Sequence, residues 1–152
     1  MSEPPIPSAR RALLFAKYRP LLTTPFFFGF STHVLSPNLF TRLLGPRIDL
    51  PISNILLFGS HVGVTSYLYT SKHLRKADKF ERLLYSVYGS AMFNFGTVLV
   101  MSLVRSIFPD NETLRLGIGL STGAALLFIG RKYVNYIDQV FETVRFRAIP
   151  RS

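Results

Sequence analysis

Two uncharged runs of twenty-two residues each, Leu50–Ser71 and Leu83–Val104, constrain this chain more than any other feature. They are separated by the eleven residues Lys72–Arg82, which hold five of the Lys and Arg residues. A helix needs roughly 20 apolar residues to cross the hydrocarbon core of a bilayer, and clustered Lys and Arg mark the side that is not translocated. The pattern therefore predicts a membrane hairpin with a basic turn.

The composition is also typical of a membrane protein. Of the 152 residues 48% are hydrophobic, and the mean hydropathy is +0.27. A water-soluble alternative would need several charge-free core helices, although core helices normally keep a polar face. The net charge of +10 suits acidic lipid headgroups, because the basic residues cluster just outside the apolar runs, and we expect no nucleic-acid partner. The chain has no cysteine, so disulfides and thiol chemistry are excluded.

Two further runs are weaker candidates for crossing a membrane. Pro20–Thr41 contains three prolines, which remove helical hydrogen bonds, so a kinked or re-entrant segment is the alternative to a full crossing. Leu116–Gly130 has only fifteen uncharged residues, which is short for a hydrocarbon core of about 30 Å. Arg115 and Arg131 bracket this run and can extend their charges to the two interfaces, which gives a predicted span of 113–134.

The distribution of Lys and Arg decides how many runs cross. Four precede the first run, two lie in Arg42–Asp49, five in Lys72–Arg82, two in Arg105–Arg115 and five from Arg131 onward. Four crossings place fourteen on one side and four on the other, whereas a first run that does not cross leaves ten against eight. The predicted fold is an all-α membrane protein, a four-helix transmembrane bundle with short loops, spanning about 20–41, 50–71, 83–104 and 113–134.

Both chain ends are predicted to lie on the basic side. Residues 1–9 are a proline-rich tail, and Arg10–Arg19 has four basic and no acidic residues, which is typical of a mitochondrial targeting segment or of a basic membrane-flanking helix. After the last span, apolar residues at helical spacing predict an amphipathic C-terminal helix that lies on the lipid surface or docks a partner, before a tail at 146–152. These apolar residues are Tyr133, Ile137, Val140, Phe141 and Val144.

Two G-x-x-x-G motifs predict close helix packing. Gly59 and Gly63 lie in the second span, and Gly119 and Gly123 lie in the fourth. Two glycines four residues apart form a flat strip on one helix face, which lets a second helix backbone approach closely. We expect these strips to pack within the bundle, and contact with a helix of another protein is the alternative.

Polar residues recur on one face of each helix of the hairpin. In the second span this face carries Asn54, His61, Thr65 and Tyr69, and in the third it carries Ser86, Ser90, Asn94 and Thr97. Counted from the basic turn, His61 and Asn94 lie at the same depth, near the middle of the membrane. The two faces are therefore predicted to form a ladder of hydrogen bonds that locks the hairpin.

His61 is the candidate functional residue because it is ionisable and lies at mid-membrane depth. One interpretation is a neutral imidazole that is hydrogen-bonded to Asn94. A second is a path for protons or a substrate along Asn54, His61 and Asn94. A third is metal or haem ligation with His33, although His33 lies about three residues deeper when counted from the basic side.

The sequence carries no phosphate-binding loop, no H-E-x-x-H or G-x-S-x-G motif and no charged residue inside an apolar run. Acid-base catalysis needs paired titratable groups, so we expect no enzyme, no cofactor and no small-molecule substrate. The preferred function is an accessory subunit or assembly factor of a larger complex in the mitochondrial inner membrane, with both termini in the matrix. The partners would be the lipid bilayer and other membrane-protein subunits.

Three alternatives stay open at this point. The first is a small transporter or channel that uses the polar track at Asn54, His61 and Asn94. The second is a membrane anchor that carries haem. The third concerns the compartment, because the same charge rule places both termini in the cytosol if the chain resides in the endoplasmic reticulum membrane.

Overall fold

The computed structural model describes residues 23–147, and this part of the chain is helical and has no strands. The predicted all-α class is confirmed. The helices are α1 (23–35), α2 (Pro37–Leu44), α3 (Asp49–Tyr69), a 3-10 helix (His73–Lys76), α4 (Lys79–Ile107) and α5 (Glu112–Arg147). The predictions for the N-terminal tail, for the segment Arg10–Arg19 and for the last five residues lie outside the described part.

The first uncharged run does not form the single helix predicted at 20–41. Within the described residues, α1 ends at Leu35, Ser36 is not helical, and α2 begins at Pro37. A residue that precedes proline is pushed away from the helical region, and Ser36 has φ −142° and ψ 81°. Proline is then favourable at the first position of α2, because its missing N–H would have no helical partner there.

The basic turn between α3 and α4 is compact and partly helical. The 3-10 helix His73–Lys76 occupies its middle, and α4 begins at Lys79, four residues before the predicted span. The Nε of Arg82 donates a hydrogen bond to the Tyr69 carbonyl at 2.5 Å, and its guanidinium lies 4.1 Å from the centre of the Tyr69 ring. This contact closes the hairpin at the end of the molecule that we call the basic end.

The fourth predicted span, 113–134, is the first part of a much longer helix. α5 runs without a break over 36 residues, or about 54 Å at 1.5 Å per residue. The residues of the predicted amphipathic C-terminal helix are helical, and they continue α5 without a break. No proline or glycine follows Gly130 before the end of α5 at Arg147, so nothing in that part of the sequence interrupts the helix.

The distribution of buried residues is the reverse of that in a water-soluble domain. Among the described residues only Phe27, Leu35, Met101 and Val104 are buried hydrophobic residues. The buried polar residues are more numerous, and they are Ser31, Ser36, Ser53, Ser60, Ser71, Ser86, Ser90, Asn94 and Thr97. Large apolar side chains such as Phe58 and Leu99 are more than 70% exposed. Small and polar side chains therefore fill the interior, and apolar ones face outward.

Two helices of the described part, α4 and α5, are long and apolar enough to cross a membrane. Only 28% and 17% of their apolar windows are buried within the molecule, whereas a core helix of a soluble protein is mostly buried. α3 has 21 residues but is not among these candidates, because polar residues such as Asn54 and His61 lower its mean hydropathy.

Candidate functional site

The centre of the molecule contains a polar seam between α3 and α4, formed by Ser60 and His61 on one helix and by Ser90 and Asn94 on the other. Ser60 Oγ donates a hydrogen bond to Asn94 Oδ1 at 2.7 Å, and Asn94 Nδ2 donates one to the Ser90 carbonyl at 2.9 Å. The side chains of Ser60, Ser90 and Asn94 are buried. Because each polar group finds a partner, the seam can form in a low-dielectric interior at little cost.

His61 lies at the edge of this seam. Its Nδ1 is 3.3 Å from Ser90 Oγ and 3.4 Å from Asn94 Nδ2, and Ser90 Oγ donates to the His61 carbonyl at 2.9 Å. The Asn94 amide nitrogen is a donor, so Nδ1 acts as the acceptor, which is the arrangement of a neutral imidazole. The edge of the ring also contacts Phe95, with 6.1 Å between ring centres. The imidazole therefore serves as a hydrogen-bonding partner in the helix interface.

The structure brings together only part of the polar track predicted from the sequence. His61 and Asn94 are in contact, but Asn54 is exposed and lies outside the seam. Thr65 is half-buried and lines a shallow groove near the basic end. Ser60, which sequence reasoning missed, is the buried partner of Asn94. Its signal was its spacing of seven residues from Ser53, the other buried residue of α3.

The face of α3 is thus turned by about one residue from the predicted one, which corresponds to roughly 100° around the helix. The face of α4 matches the prediction, because Ser86, Ser90, Asn94 and Thr97 are all buried. Ser86 and Thr97 donate hydrogen bonds to carbonyls four residues earlier in α4, so they do not reach α3. The ladder of side-chain hydrogen bonds is accordingly limited to the level of His61.

Both glycine strips face α1. A side chain at Gly59 would collide with Phe26, and one at Gly63 would collide with Thr23. These two glycines of α3 therefore provide the groove in which α1 lies. Each contact is with a side chain of α1, so α1 approaches α3 more closely than any larger residue at these positions would allow.

The second strip closes the other side of α1. A side chain at Gly119 would collide with Leu35, and a Cβ at Gly123 would lie 3.1 Å from Met101 Cε and 3.3 Å from the Phe27 ring. Leu35 and Met101 are fully buried and form the small apolar core at the end opposite the basic turn. α1 is therefore held between α3 and α5 by glycines on both helices.

Acidic side chains meet polar partners at this opposite end. Asp49 Oδ2 accepts a hydrogen bond from Thr41 at 2.7 Å, and Asp49 Oδ1 lies 3.0 Å from His33 Nε2. Ser36 Oγ donates to Glu112, whose second oxygen is 3.8 Å from Arg42. These contacts connect the segments between α1 and α3 to one another and to the first turn of α5.

This geometry separates the two histidines of the haem hypothesis. His33 is held at Asp49, and His61 lies twelve positions after Asp49 in α3, which is about 18 Å of helix. Two axial haem ligands must face each other across one iron, so His33 and His61 do not form such a site. In residues 23–147, no group of three His, Cys, Asp or Glu side chains is arranged to hold a metal ion.

A polar latch fastens α5 to the basic turn. Asp138 of α5 accepts hydrogen bonds from the backbone amides of His73 at 2.8 Å and Lys72 at 3.1 Å, and its Oδ1 lies 2.6 Å from His73 Nδ1. Lys72 Nζ also contacts Glu142 at 2.9 Å. Partial burial raises the pKa of Asp138, but the hydrogen bonds from His73 and Lys72 outweigh this effect and hold the pKa below its usual value. We refer to the contact between Asp138 and residues 72–73 as the latch.

Between the latch and the glycine strips, α5 stands away from the hairpin and leaves a cavity of about 340 Å³. We call it the basic-end cavity. α1, α3, the 3-10 helix, α4 and α5 all contribute to its walls. Sequence reasoning did not predict it, because a gap between helices depends on how their side chains pack.

Compared with known protein families, with curated proteins and with solved structures, the chain matches none.

Proposed function

We propose that this chain is a small multipass membrane protein that serves as an accessory subunit or assembly factor of a larger complex in the mitochondrial inner membrane. In this proposal α1, α3, α4 and α5 cross the bilayer, both termini lie in the matrix, and the role is structural, not enzymatic.

Membrane insertion is supported by the outward-facing apolar side chains. A protein that exposes large residues such as Phe58, Phe95 and Leu99 along its helices needs an apolar surrounding, and lipid provides it. The buried serines, Asn94 and Thr97 suit the same environment, since small polar residues let helices approach and hydrogen-bond where lipid removes the hydrophobic driving force.

Four crossings are supported by charge and by packing. Four crossings place fourteen Lys and Arg residues on one side and four on the other, whereas omission of the α1 crossing alone leaves ten against eight. α1 lies between the glycine strips of α3 and α5, and it is therefore packed at the same depth as these helices. α3, with 21 residues, is about 31 Å long, which matches the hydrocarbon thickness of about 30 Å.

The observation that carries the docking role is the length of α5. At about 54 Å it exceeds a hydrocarbon core of about 30 Å, so its last part extends beyond the core on the basic side. We call residues 135–147 the α5 arm. On one face of the arm, Ile137, Val140, Phe141 and Val144 recur at helical spacing, and Val140, Phe141 and Val144 are exposed. An amphipathic helix of this kind offers its apolar face to a partner helix or groove.

The polar seam does not favour the alternative of a transporter or channel. Ser60, Ser90 and Asn94 satisfy one another and are buried, and Asn54 lies outside the seam. A conducting path needs polar groups that face a continuous aqueous space. The basic-end cavity has mostly apolar walls and does not include His61.

The compartment is proposed from the N-terminal sequence. Arg10–Arg19 is basic and lacks acidic residues, which is typical of mitochondrial targeting segments. Import into isolated mitochondria, compared with insertion into microsomes, tests this part separately. Protease-protected insertion into microsomes with no import would replace the mitochondrial membrane by that of the endoplasmic reticulum.

The docking role is tested by native electrophoresis of gently solubilised membranes, with an epitope tag after Ser152 and mass spectrometry of the co-migrating proteins. We expect a discrete complex far larger than 17.2 kDa. Val144→Glu places a charge on the apolar face of the arm and should release the chain from that complex. Thr143→Glu adds the same charge on an exposed polar position of the same turn and should leave the complex intact.

Two results would contradict the docking role. Migration of the wild-type chain alone or as a small homo-oligomer would move the proposal to transport. Equal effects of Val144→Glu and Thr143→Glu would show that the apolar face of the arm is not what binds the partner.

A further inference from the structure

The basic-end cavity has mostly apolar walls, and three glycines contribute to its lining. Gly63 of α3, Gly89 of α4 and Gly130 of α5 all line it. Around them lie six apolar side chains, namely Val64, Leu68, Phe93, Leu127, Val134 and Ile137. A volume of about 340 Å³ lies within the range of small-molecule pockets, which is roughly 300–1,000 Å³.

The cation that lines this cavity is Arg131, which is exposed. Within residues 23–147, Arg131 forms no ion pair, whereas the nearby carboxylate of Asp138 is occupied by His73 and the Lys72 amide. Arg131 is close enough to Tyr67 to act on it electrostatically, and both residues contribute to the lining. An exposed guanidinium next to an apolar cavity is complementary to a ligand with one anionic group and an apolar chain.

The position of the cavity identifies the source of such a ligand. Arg131 follows the fifteen-residue uncharged run of α5 directly, at the basic end of the molecule. In a membrane this is the level of the phosphate groups, and the apolar walls below it lie at the level of the acyl chains. Basic pockets between membrane helices on the non-translocated side are typical sites for anionic phospholipids.

We propose that the basic-end cavity binds an anionic phospholipid, with the phosphate at Arg131 and one acyl chain among the apolar residues of α4 and α5. This inference depends on the membrane insertion proposed above and is independent of the accessory role. The lipid fills the gap that the latch and the glycine strips leave between α5 and the hairpin. It therefore adds contacts to a helix that the core around Met101 holds at one end and the latch holds at the other.

The test is native mass spectrometry of the full-length chain, extracted from vesicles that contain equal amounts of phosphatidylglycerol and phosphatidylcholine. We expect retained phosphatidylglycerol in the wild type and about fivefold less in Arg131→Gln, the effect of one cation on an anionic lipid. The matched control is Lys132→Gln, which removes the same charge from the adjacent residue, whose Nζ lies over Phe128 outside the cavity. Equal losses in both variants, or no preference for phosphatidylglycerol in the wild type, would overturn the proposal.

A second pair of variants tests the apolar part of the site. A Cβ at Gly130 would lie 3.4 Å from Phe93, which is ordinary contact, so Gly130→Leu should fold and occupy the cavity. Gly117→Leu changes the same helix where nothing lies within 4 Å. We expect loss of the retained lipid in Gly130→Leu and no loss in Gly117→Leu. Retention in both variants would place the lipid elsewhere.

Photo-crosslinking distinguishes a bound phospholipid from other occupants of the cavity. A photoreactive residue in place of Leu127, which lines the cavity, should form an adduct with phospholipid. A crosslink to residues 1–22 or to a second copy of the chain instead would overturn the lipid assignment. Resistance of the same variant to alkaline extraction from membranes reports insertion, so a failure of the lipid site is distinguished from a failure of membrane insertion.

Discussion

The two sides of α4 are held by different physical means. On the α3 side, buried hydroxyl and amide groups meet at defined distances, and the polar seam fixes which residues lie opposite each other. On the α5 side, apolar contacts around Met101 operate at one end and the latch at the other, with a cavity between them. Directional hydrogen bonds specify one pairing of helices, whereas apolar contacts tolerate small displacements. The hairpin is therefore the fixed unit, and α5 is the helix that can adapt to a ligand or partner.

The largest expected effect concerns α1, the helix that lies between α3 and α5. Gly63→Leu should destabilise the protein by about 3 kcal/mol, because the added side chain collides with Thr23 of α1. Thermal unfolding of the detergent-solubilised protein measures the change. Gly96→Leu is the control, since nothing lies within 4 Å of Gly96.

The two glycine strips should differ in how strongly a leucine destabilises the protein. Gly123→Leu should cost less than Gly63→Leu, because the neighbours of Gly123 lie at 3.1 and 3.3 Å and the closest is the flexible end of Met101. Equal melting temperatures for Gly63→Leu and Gly96→Leu would show that α1 is not held by the first strip. Normal accumulation of Gly63→Leu and Gly123→Leu in the native complex would remove the packing argument altogether.

A second prediction concerns the latch that holds the basic end of α5. Asp138→Asn should lower the free energy of unfolding by about 1 kcal/mol at neutral pH, because it removes the charge that the His73 and Lys72 amides stabilise. Glu142→Gln, in an exposed pair with Lys72, should change it by only a few tenths of a kcal/mol. Chemical unfolding in detergent compares the two variants.

The latch also gives a pH dependence with a definite sign. The pKa of Asp138 is lower in the folded protein than the ordinary value of 3.8, so the latch stabilises the fold fully above that value. Its contribution is lost as the pH falls through 3.8 toward the lower pKa of the folded state. The stability difference between wild type and Asp138→Asn should therefore shrink below about pH 4. A difference that stays constant down to pH 2 would contradict the role of this carboxylate.

The sequence was most informative where a single physical rule applied. Length and charge predicted α4 and the basic turn, because a lipid-crossing helix needs an uninterrupted apolar run with charges at its ends. The same rule gave the fourth span an end at 134, whereas α5 continues to Arg147, since helix propensity continues past Gly130 whether or not apolar residues do. This rule also predicted a single helix where the structure has α1 and α2, although Pro37 indicated a break between them.

Side-chain partners were harder to predict than helices. The buried face of α4 followed from four polar residues at helical spacing, whereas α3 offered two candidate faces about 100° apart, one through Ser53 and Ser60 and one through Asn54 and His61. Hydrophobic periodicity does not choose between two polar faces. The choice depends on where α1 lies, because the Gly59 and Gly63 strip binds α1 and turns the serine face toward α4.

A third prediction tests whether the polar seam specifies the pairing of α3 with α4. In a double-mutant cycle, Ser60→Ala and Asn94→Ala should be coupled by about 0.6 kcal/mol, the average for hydrogen bonds between membrane helices. Ser106→Ala combined with Asn94→Ala should show no coupling, because Ser106 is exposed and bonds only to its own helix. Additive effects of Ser60→Ala and Asn94→Ala would mean that the seam does not specify the pairing of α3 with α4.

The smallest expected effect is at His61, and it separates a structural seam from a proton path. His61→Gln retains an amide that can accept from Asn94, and the Ser90 hydroxyl bonds to the backbone of residue 61, which the substitution keeps. We therefore expect a change in stability below about 0.5 kcal/mol and unchanged proton flux in reconstituted vesicles. Phe95→Leu, which removes only the ring contact, is the control for packing around the imidazole. Flux in the wild type that depends on pH and disappears in His61→Gln, with stability retained, would instead assign His61 to transport, because a titrating imidazole relays protons and an amide does not.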